Sequence, residues 1–353
     1  MHTDPRPQQS ADVIAAELLR LSPAYAPTPL LSLRRIGARL GLRQVLAKNE
    51  GQRMLGSFKS LGGTYAGLRA LARATGREIA ELLADRLGNL PALICASDGN
   101  HGLAVATAAR FAGAPARIFL HSTVPAARAR RIASQGAEII WAQGTYDNAV
   151  DAAAEAARRG AGILVADTTD DPADPVVADV MAGYGLIAAE IRQQVEAAAH
   201  QRPTHLFVQA GVGGLAAAVA AGLHTWMAPP ARIAVVEPAE APCVAAALAA
   251  GRPVRVTGEL KTAAEMLSCG KASRPALAVL LRHDVRVVTV PEATLIAAPH
   301  LLRDEAGPST TPSGAAGLAG LIAVSADSTT AADLGLEAES RVLILITEAE
   351  LGE

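Results

Sequence analysis

Lys59 stands in the run Gly56-Ser57-Phe58-Lys59-Ser60-Leu61-Gly62-Gly63, with small neighbours on both sides and a helical pattern directly after it. Small residues let a planar ligand approach the backbone, and the helix start that follows favours an anion. A lysine amine forms a Schiff base with a carbonyl, so this residue could anchor a carbonyl-bearing ligand covalently. A lysine near a helix start is also a common snorkelling surface charge, and the run alone does not separate the two. A second set, Ser97-Asp98-Gly99-Asn100-His101-Gly102, places a carboxylate, an amide and an imidazole among close-approach glycines ahead of a helix. Capping by Ser97 or Asp98 explains part of that set, but not Asn100 with two glycines so near it. The set argues for a site; His101 alone does not. A third, Ala210-Gly211-Val212-Gly213-Gly214, joins a strand to a helix so that backbone N–H groups converge on a phosphate. Its spacing is not the dinucleotide fingerprint, and a tight strand–helix turn would read the same way. Asp167 and Thr347 each end an apolar run. The first reads equally as a catalytic carboxylate or a helix cap. The second is a hydroxyl for a cofactor's ring nitrogen or for closing a turn.

The elements that must position these residues alternate along the chain. Strand-like runs fall at 45–48, 91–96, 116–120, 138–141, 162–166, 204–209, 232–237, 285–290 and 341–346. Helical patterns fall at 11–21, 32–40, 61–75, 103–112, 126–135, 146–159 and 178–199, with a loop and helix over 238–249. Each strand–helix–strand unit has the length of a crossover, which implies parallel pairing. Ligands in open α/β sheets bind at the carboxyl ends of the strands, where the candidate residues fall. Pro27-Thr28-Pro29-Leu30 is a rigid extended segment, 167–175 a polar connection, and the first ten residues a polar, Pro-rich tail.

Composition agrees with a large α/β protein. Half of the 353 residues are hydrophobic, 19% are charged and 3% aromatic. Chains of this length exceed one average domain. Ala, Leu, Val and Gly dominate, as suits small-residue helices on a parallel sheet. The formal net charge is −2 with no basic stripe, so no electrostatic footprint for nucleic acid is present. Cys95, Cys243 and Cys269 form no CxxC pair, and the reading is buried reduced thiols with neither zinc site nor disulfide framework. The N-terminus lacks the layout of a secretory signal, and no apolar run approaches the roughly 20 residues of a membrane helix, so a cytoplasmic protein is expected.

Taken together, Ser57-Phe58-Lys59 with Leu61-Gly62-Gly63, Ser97-Asp98-Gly99-Asn100-His101-Gly102 and Ala210-Gly211-Val212-Gly213-Gly214 resemble the fold type II (tryptophan synthase β-like) pyridoxal phosphate enzymes. Within that group the chain is similar to the diaminopropionate ammonia-lyases. The runs that carry this are Tyr25 to Leu30, Asp98 in its loop, Met181-Ala182-Gly183-Tyr184-Gly185, Val236-Glu237-Pro238, Lys261 to Gly270 and Pro312 to Gly317. The similarity spans roughly Tyr25 to Glu348.

The resemblance implies two three-layer αβα domains with parallel-rich sheets: residues 1–89 and 186–353 forming a large cofactor-binding domain, and 90–185 a small one. Pyridoxal phosphate would be held between them. Lys59 would carry the cofactor as a Schiff base, and Asn100 would hydrogen-bond its ring hydroxyl. Gly211, Val212, Gly213 and Gly214 would cradle its phosphate, and Thr347 would sit near the pyridine nitrogen. Asp98 and Asp167 match two aspartates thought to act as bases for opposite substrate enantiomers. The implied reaction is α,β-elimination from a small amino acid, 2,3-diaminopropionate first, giving pyruvate and ammonia in a homodimer.

The chain departs from the lyases in two places. Thr168-Thr169-Asp170-Asp171-Pro172-Ala173-Asp174-Pro175 replaces an aromatic segment, and Thr347-Glu348 continues as Ala349-Glu350 instead of Gly-Asp. A serine, threonine or hydroxyaspartate dehydratase, a β-replacement synthase, and a non-catalytic binding protein are the other readings.

Overall fold

The computed structural model describes residues 9–84 and 88–350. Positions 1–8 of the expected tail and the end of the altered C-terminus, 351–353, lie outside the described residues. The strands are β1 (Leu30–Ser32), β2 (Gln44–Asn49), β3 (Leu93–Ala96), β4 (Ala116–His121), β5 (Glu138–Ala142), β6 (Ile163–Leu164), β7 (His205–Gln209), β8 (Arg232–Pro238), β9 (Arg286–Val290) and β10 (Arg341–Ile346). They form a six-stranded sheet ordered β1-β2-β10-β7-β8-β9 and a four-stranded sheet ordered β5-β4-β3-β6. All pairings are parallel except β1 with β2. The chain is thus α/β with parallel-rich sheets, as expected.

Central strands are buried on both faces, which explains their unbroken apolar runs. Every residue of β7 is buried, and so are Val342 to Ile346 of β10. Because β2, β10 and β7 are neighbours, the segments leaving their carboxyl ends emerge together. In the smaller sheet β4 and β5 lie on one side of β3 and β6 on the other. The order reverses between β3 and β6, and that crevice is where doubly wound sheets bind ligands.

The helix Lys59–Thr75 is the hinge-pin between these two edges. Its residues from Ser60 to Ala72 are all buried. Glycines make that possible. A Cβ on Gly63 would meet the Ala104 Cβ at 2.6 Å, and one on Gly67 would meet the Ala108 Cβ at 2.7 Å. Four-residue spacing places both small-on-small contacts on one row facing the helix Asn100–Ala112. On the opposite side Gly62 touches Gly183 of the helix Pro175–Ala197, whose Leu61 O and Gly62 Cα neighbours leave 2.8 Å for a Cβ at Gly183. The helix ends at Gly76, whose φ of 67° suits the left-handed cap.

Element boundaries differ from expectation in an instructive way. The lysine helix starts at Lys59, not 61, the helix expected from 103 begins at Asn100, and a short helix Ile79–Ala84 between them was not expected. Gly102 read as a loop residue, yet it is a packing contact inside its helix, as are Gly62 and Gly63 in the lysine helix where they were expected. The helix expected from 178 starts at Pro175, because the Asp174 carboxylate accepts from Val176 and Val177 N–H at 2.8 and 3.1 Å, with proline in the first turn. That helix runs unbroken across position 185 and packs along Lys59–Thr75. β6 is shorter than the expected 162–166.

Candidate active site

A cavity of about 1040 Å³ opens between the two sheet edges. Lys59, Asp98, Asn100, Asp167, Gly211, Val212, Gly213, Gly214 and Thr347 all line it. Residues separated by nearly three hundred positions therefore share one wall.

Lys59 is set by a staple from the end of β10. Phe58 N–H donates to the Thr347 carbonyl at 3.1 Å, and Ala349 N–H donates to that of Gly56 at 2.9 Å. Arg131 donates to the Leu55 carbonyl at 2.6 Å, holding a residue with a φ of 64°. The lysine Nζ donates to Asp167 Oδ2 at 2.5 Å. It also lies 5.5 Å from the Phe58 ring centroid and 5.9 Å from that of Tyr184, within cation–π range. Burial works to lower the pKa of Lys59, but the Asp167 carboxylate outweighs it and holds the ammonium well above its ordinary range. Burial likewise works to raise Asp167, and Lys59, followed by His101, keeps that carboxyl well below the usual carboxylate range. The two groups are an ionised pair, which rules out the simple cap reading of Asp167.

The amide and the other aspartate have partners of their own. Asn100 Nδ2 donates to Glu348 Oε2 at 2.5 Å, and Arg131 approaches its Oδ1 at 3.4 Å. Asp98 Oδ2 accepts from Arg128 at 2.9 Å, and Arg128 also pairs with Glu265. His101 borders the cavity but is only 4% exposed, and it meets the Val165 carbonyl, just past β6, at 3.0 Å through Nε2. Burial lowers its pKa. Thr347 Oγ1 accepts from Gln209 Nε2 at 3.1 Å, which leaves its own proton free to point elsewhere.

The glycine loop can hold an anion. Gly213 has a φ of 95° and precedes the helix Gly214–Leu223, which has no side-chain cap. Its open N–H groups and helix dipole face the cavity. A Cβ on Gly211 would come within 3.0 Å of Cys269 Sγ, so the loop is packed against its support. A Gly213→Ala protein is expected to lose about 1–2 kcal/mol from left-handed strain. It should also lose any rise in Tm that inorganic phosphate gives the unaltered protein. An equal rise in both would place the anion elsewhere.

Sequence reasoning missed several groups. Glu348, buried and bonded to Asn100 and to Thr311 at 2.5 Å, was legible only as the residue after Thr347. Arg128 sits in a helix with an ordinary charged face. Tyr184 lay within a quoted run but carried no role. Its place beside Lys59 depends on the Gly62–Gly183 contact.

A family model described as pyridoxal-phosphate dependent enzyme matches residues 21–348. A diaminopropionate ammonia-lyase of Salmonella typhimurium is 35% identical over 262 residues, covering 70% of this chain and 65% of that protein. The chain thus spans about two thirds of that relative. A biosynthetic L-threonine dehydratase of Mycobacterium leprae is 33% identical over 325 residues, 90% of this chain and 69% of the other. Among solved structures, holo diaminopropionate ammonia-lyase from Escherichia coli superposes with a TM-score of 0.86 at 27% identity, covering 99% of this chain and 91% of that one.

Proposed function

Because the chain belongs to the pyridoxal-phosphate dependent enzyme family, with the fold type II architecture, we propose that it is an ammonia-lyase that removes the α-proton and a β-substituent from a small amino acid. The substrate proposed is 2,3-diaminopropionate, and the products are pyruvate and ammonia. The observation that carries this reading is the Lys59–Asp167 pair at 2.5 Å, in a cavity whose wall also holds Asp98, Asn100 and the glycine loop.

The residues fit the cofactor. The uncapped helix start at Gly213 and Gly214 suits a phosphate. Asn100 has a second amide proton beyond the one given to Glu348, available for a ring hydroxyl. Gln209 orients Thr347, whose neutral hydroxyl would be the partner of the pyridine nitrogen. When bound, pyridoxal phosphate supplies the electron sink that stabilises a carbanion at the α-carbon.

The chain's own groups do the rest. Lys59 would hold the cofactor, and its free amine would take the α-proton from one face. Asp98 serves the opposite face within the same cavity, and Arg128 holds that carboxylate in place. Asp167 receives the ammonium that Lys59 becomes. Carboxylates outnumber cations around the cavity: Asp98, Asp147, Asp167, Asp170, Glu259, Glu265 and Glu348 face Lys59, Arg128, Arg255 and Lys271. That balance favours a substrate bearing a second ammonium.

Substrate arms test the reading. Release of pyruvate from either diaminopropionate enantiomer faster than of keto acid from serine, threonine or hydroxyaspartate is the expected result. A dehydratase is the second reading, favoured by the threonine dehydratase relative that covers 90% of this chain. Faster turnover of a hydroxy amino acid would select it. We place this activity in a cytoplasmic homodimer, with residues 90–185 as the smaller unit; among the described residues no helix is long and apolar enough to cross a membrane.

A further inference from the structure

Tyr184 is 1% exposed, and its hydroxyl is buried with no hydrogen-bond partner among the described residues. A stranded buried hydroxyl costs folding free energy, whereas phenylalanine would fill the same space without it. The ring cannot swing away to find a partner. A Cβ on Gly62 would lie 2.4 Å from Tyr184 Cε1, so the ring already fills the space above that glycine. On its other side the Phe58 ring packs at 4.9 Å between centroids. The Tyr184 ring therefore stays on the cavity wall, where the Lys59 Nζ lies 5.9 Å from its centroid. Burial pushes the phenol up to about 12, with the Lys59 ammonium pulling the other way, so the hydroxyl keeps its proton at neutral pH.

We propose that the Tyr184 hydroxyl is the second hydrogen-bond partner of the Lys59 amine. It accepts from the ammonium and donates to the neutral amine, and so holds Nζ over the cavity when the amine is not paired with Asp167. A phenol can play both parts, which a carboxylate cannot. No proton is consumed or released. Tyr184 is a positioning residue, and the proposal rests on the reading of Lys59 as the cofactor-bearing lysine. It explains why a tyrosine occupies a place that packing alone would give to phenylalanine.

Tyr184→Phe in the cofactor-loaded protein tests it. The expected result is an unchanged or higher Tm, a retained cofactor absorbance band, a kcat lower by about tenfold or more with KM within about twofold, and a displaced acid limb of the kcat–pH profile. A second readout needs no turnover. In cofactor-free protein at pH 9, Lys59 should be acetylated faster by acetic anhydride in Tyr184→Phe, because its ammonium has lost an acceptor. Wild-type kcat, pH profile and labelling together would overturn the proposal. A lowered Tm accompanying the lost turnover would assign the hydroxyl to packing and also overturn it. Should Lys59→Ala keep the absorbance band, it is the reading of Lys59 that fails.

Discussion

A Lys59→Ala protein is expected to lose the absorbance of bound pyridoxal phosphate and, from proton transfer alone, about 10²–10⁴-fold in turnover. The side chain is both the proposed covalent anchor and the proposed base, so no neighbouring group can replace it. Asp98 is held by Arg128 on another part of the wall. The change has a second consequence that does not depend on the cofactor. It strands the Asp167 carboxylate, whose side chain is only 21% exposed. Removing one partner of a buried pair destabilises by about 3–5 kcal/mol, and this partial exposure argues for the lower end. A double-mutant cycle with Asp167→Ala should show strong coupling, the double variant being more stable than the sum of the singles. Retention of the absorbance band in Lys59→Ala would sink the central assignment.

Asp167→Asn is expected to be nearly as costly, by about 3 kcal/mol, because it leaves a buried ammonium without its counter-charge. The pH dependence of that loss follows from the two shifts. Asp167 has a folded pKa below its unfolded value, so its contribution is fully present above about pH 4 and is lost as pH falls through the folded value. Lys59 has a folded pKa above its unfolded value, so its contribution is present below about pH 10 and is lost as pH rises through the folded one. Urea unfolding of cofactor-free protein should therefore give the widest gap between wild type and Asp167→Asn at pH 5, narrowing toward pH 9 as the unpaired lysine, lowered by burial, releases its proton. A gap that widens as pH rises would mean that the pair is not ionised in the wild type. In turnover, Asp167→Asn and Asp98→Asn are expected to depress opposite substrate enantiomers, each by about 10²-fold or more. Equal losses on both enantiomers would dismiss the division of labour between the two carboxylates.

Much of this site was legible because its chemistry sits in short runs. Lys59, Asn100 and Gly211 to Gly214 each lie where an apolar run gives way to glycines, and strand ends are where α/β sheets bind ligands. What stayed hidden was set by distance in sequence. Glu348 and Asn100 are 248 positions apart, and no local pattern marks their bond. Asp98 read as a cap or a base, and nothing local marked its pairing with Arg128, which sits on an ordinary charged helix. Gly102 was read as a loop residue, since its helical role depends on what packs over it.

By itself the sequence determined the alternation of strands and helices, the parallel pairing, the family and the residue types that line the cavity. Those follow from periodicity, turn chemistry and motif, which are local properties. Only the tertiary structure decided which carboxylate takes Lys59. Asp98 and Asp167 end strands of the same small sheet and were equal candidates. The β3–β6 neighbour relation and the glycine-lined approach of three helices bring Asp167 to the ammonium and leave Asp98 to Arg128. The same approach presses Tyr184 against Phe58. Close packing of small residues sets these partners, and no single segment carries that information.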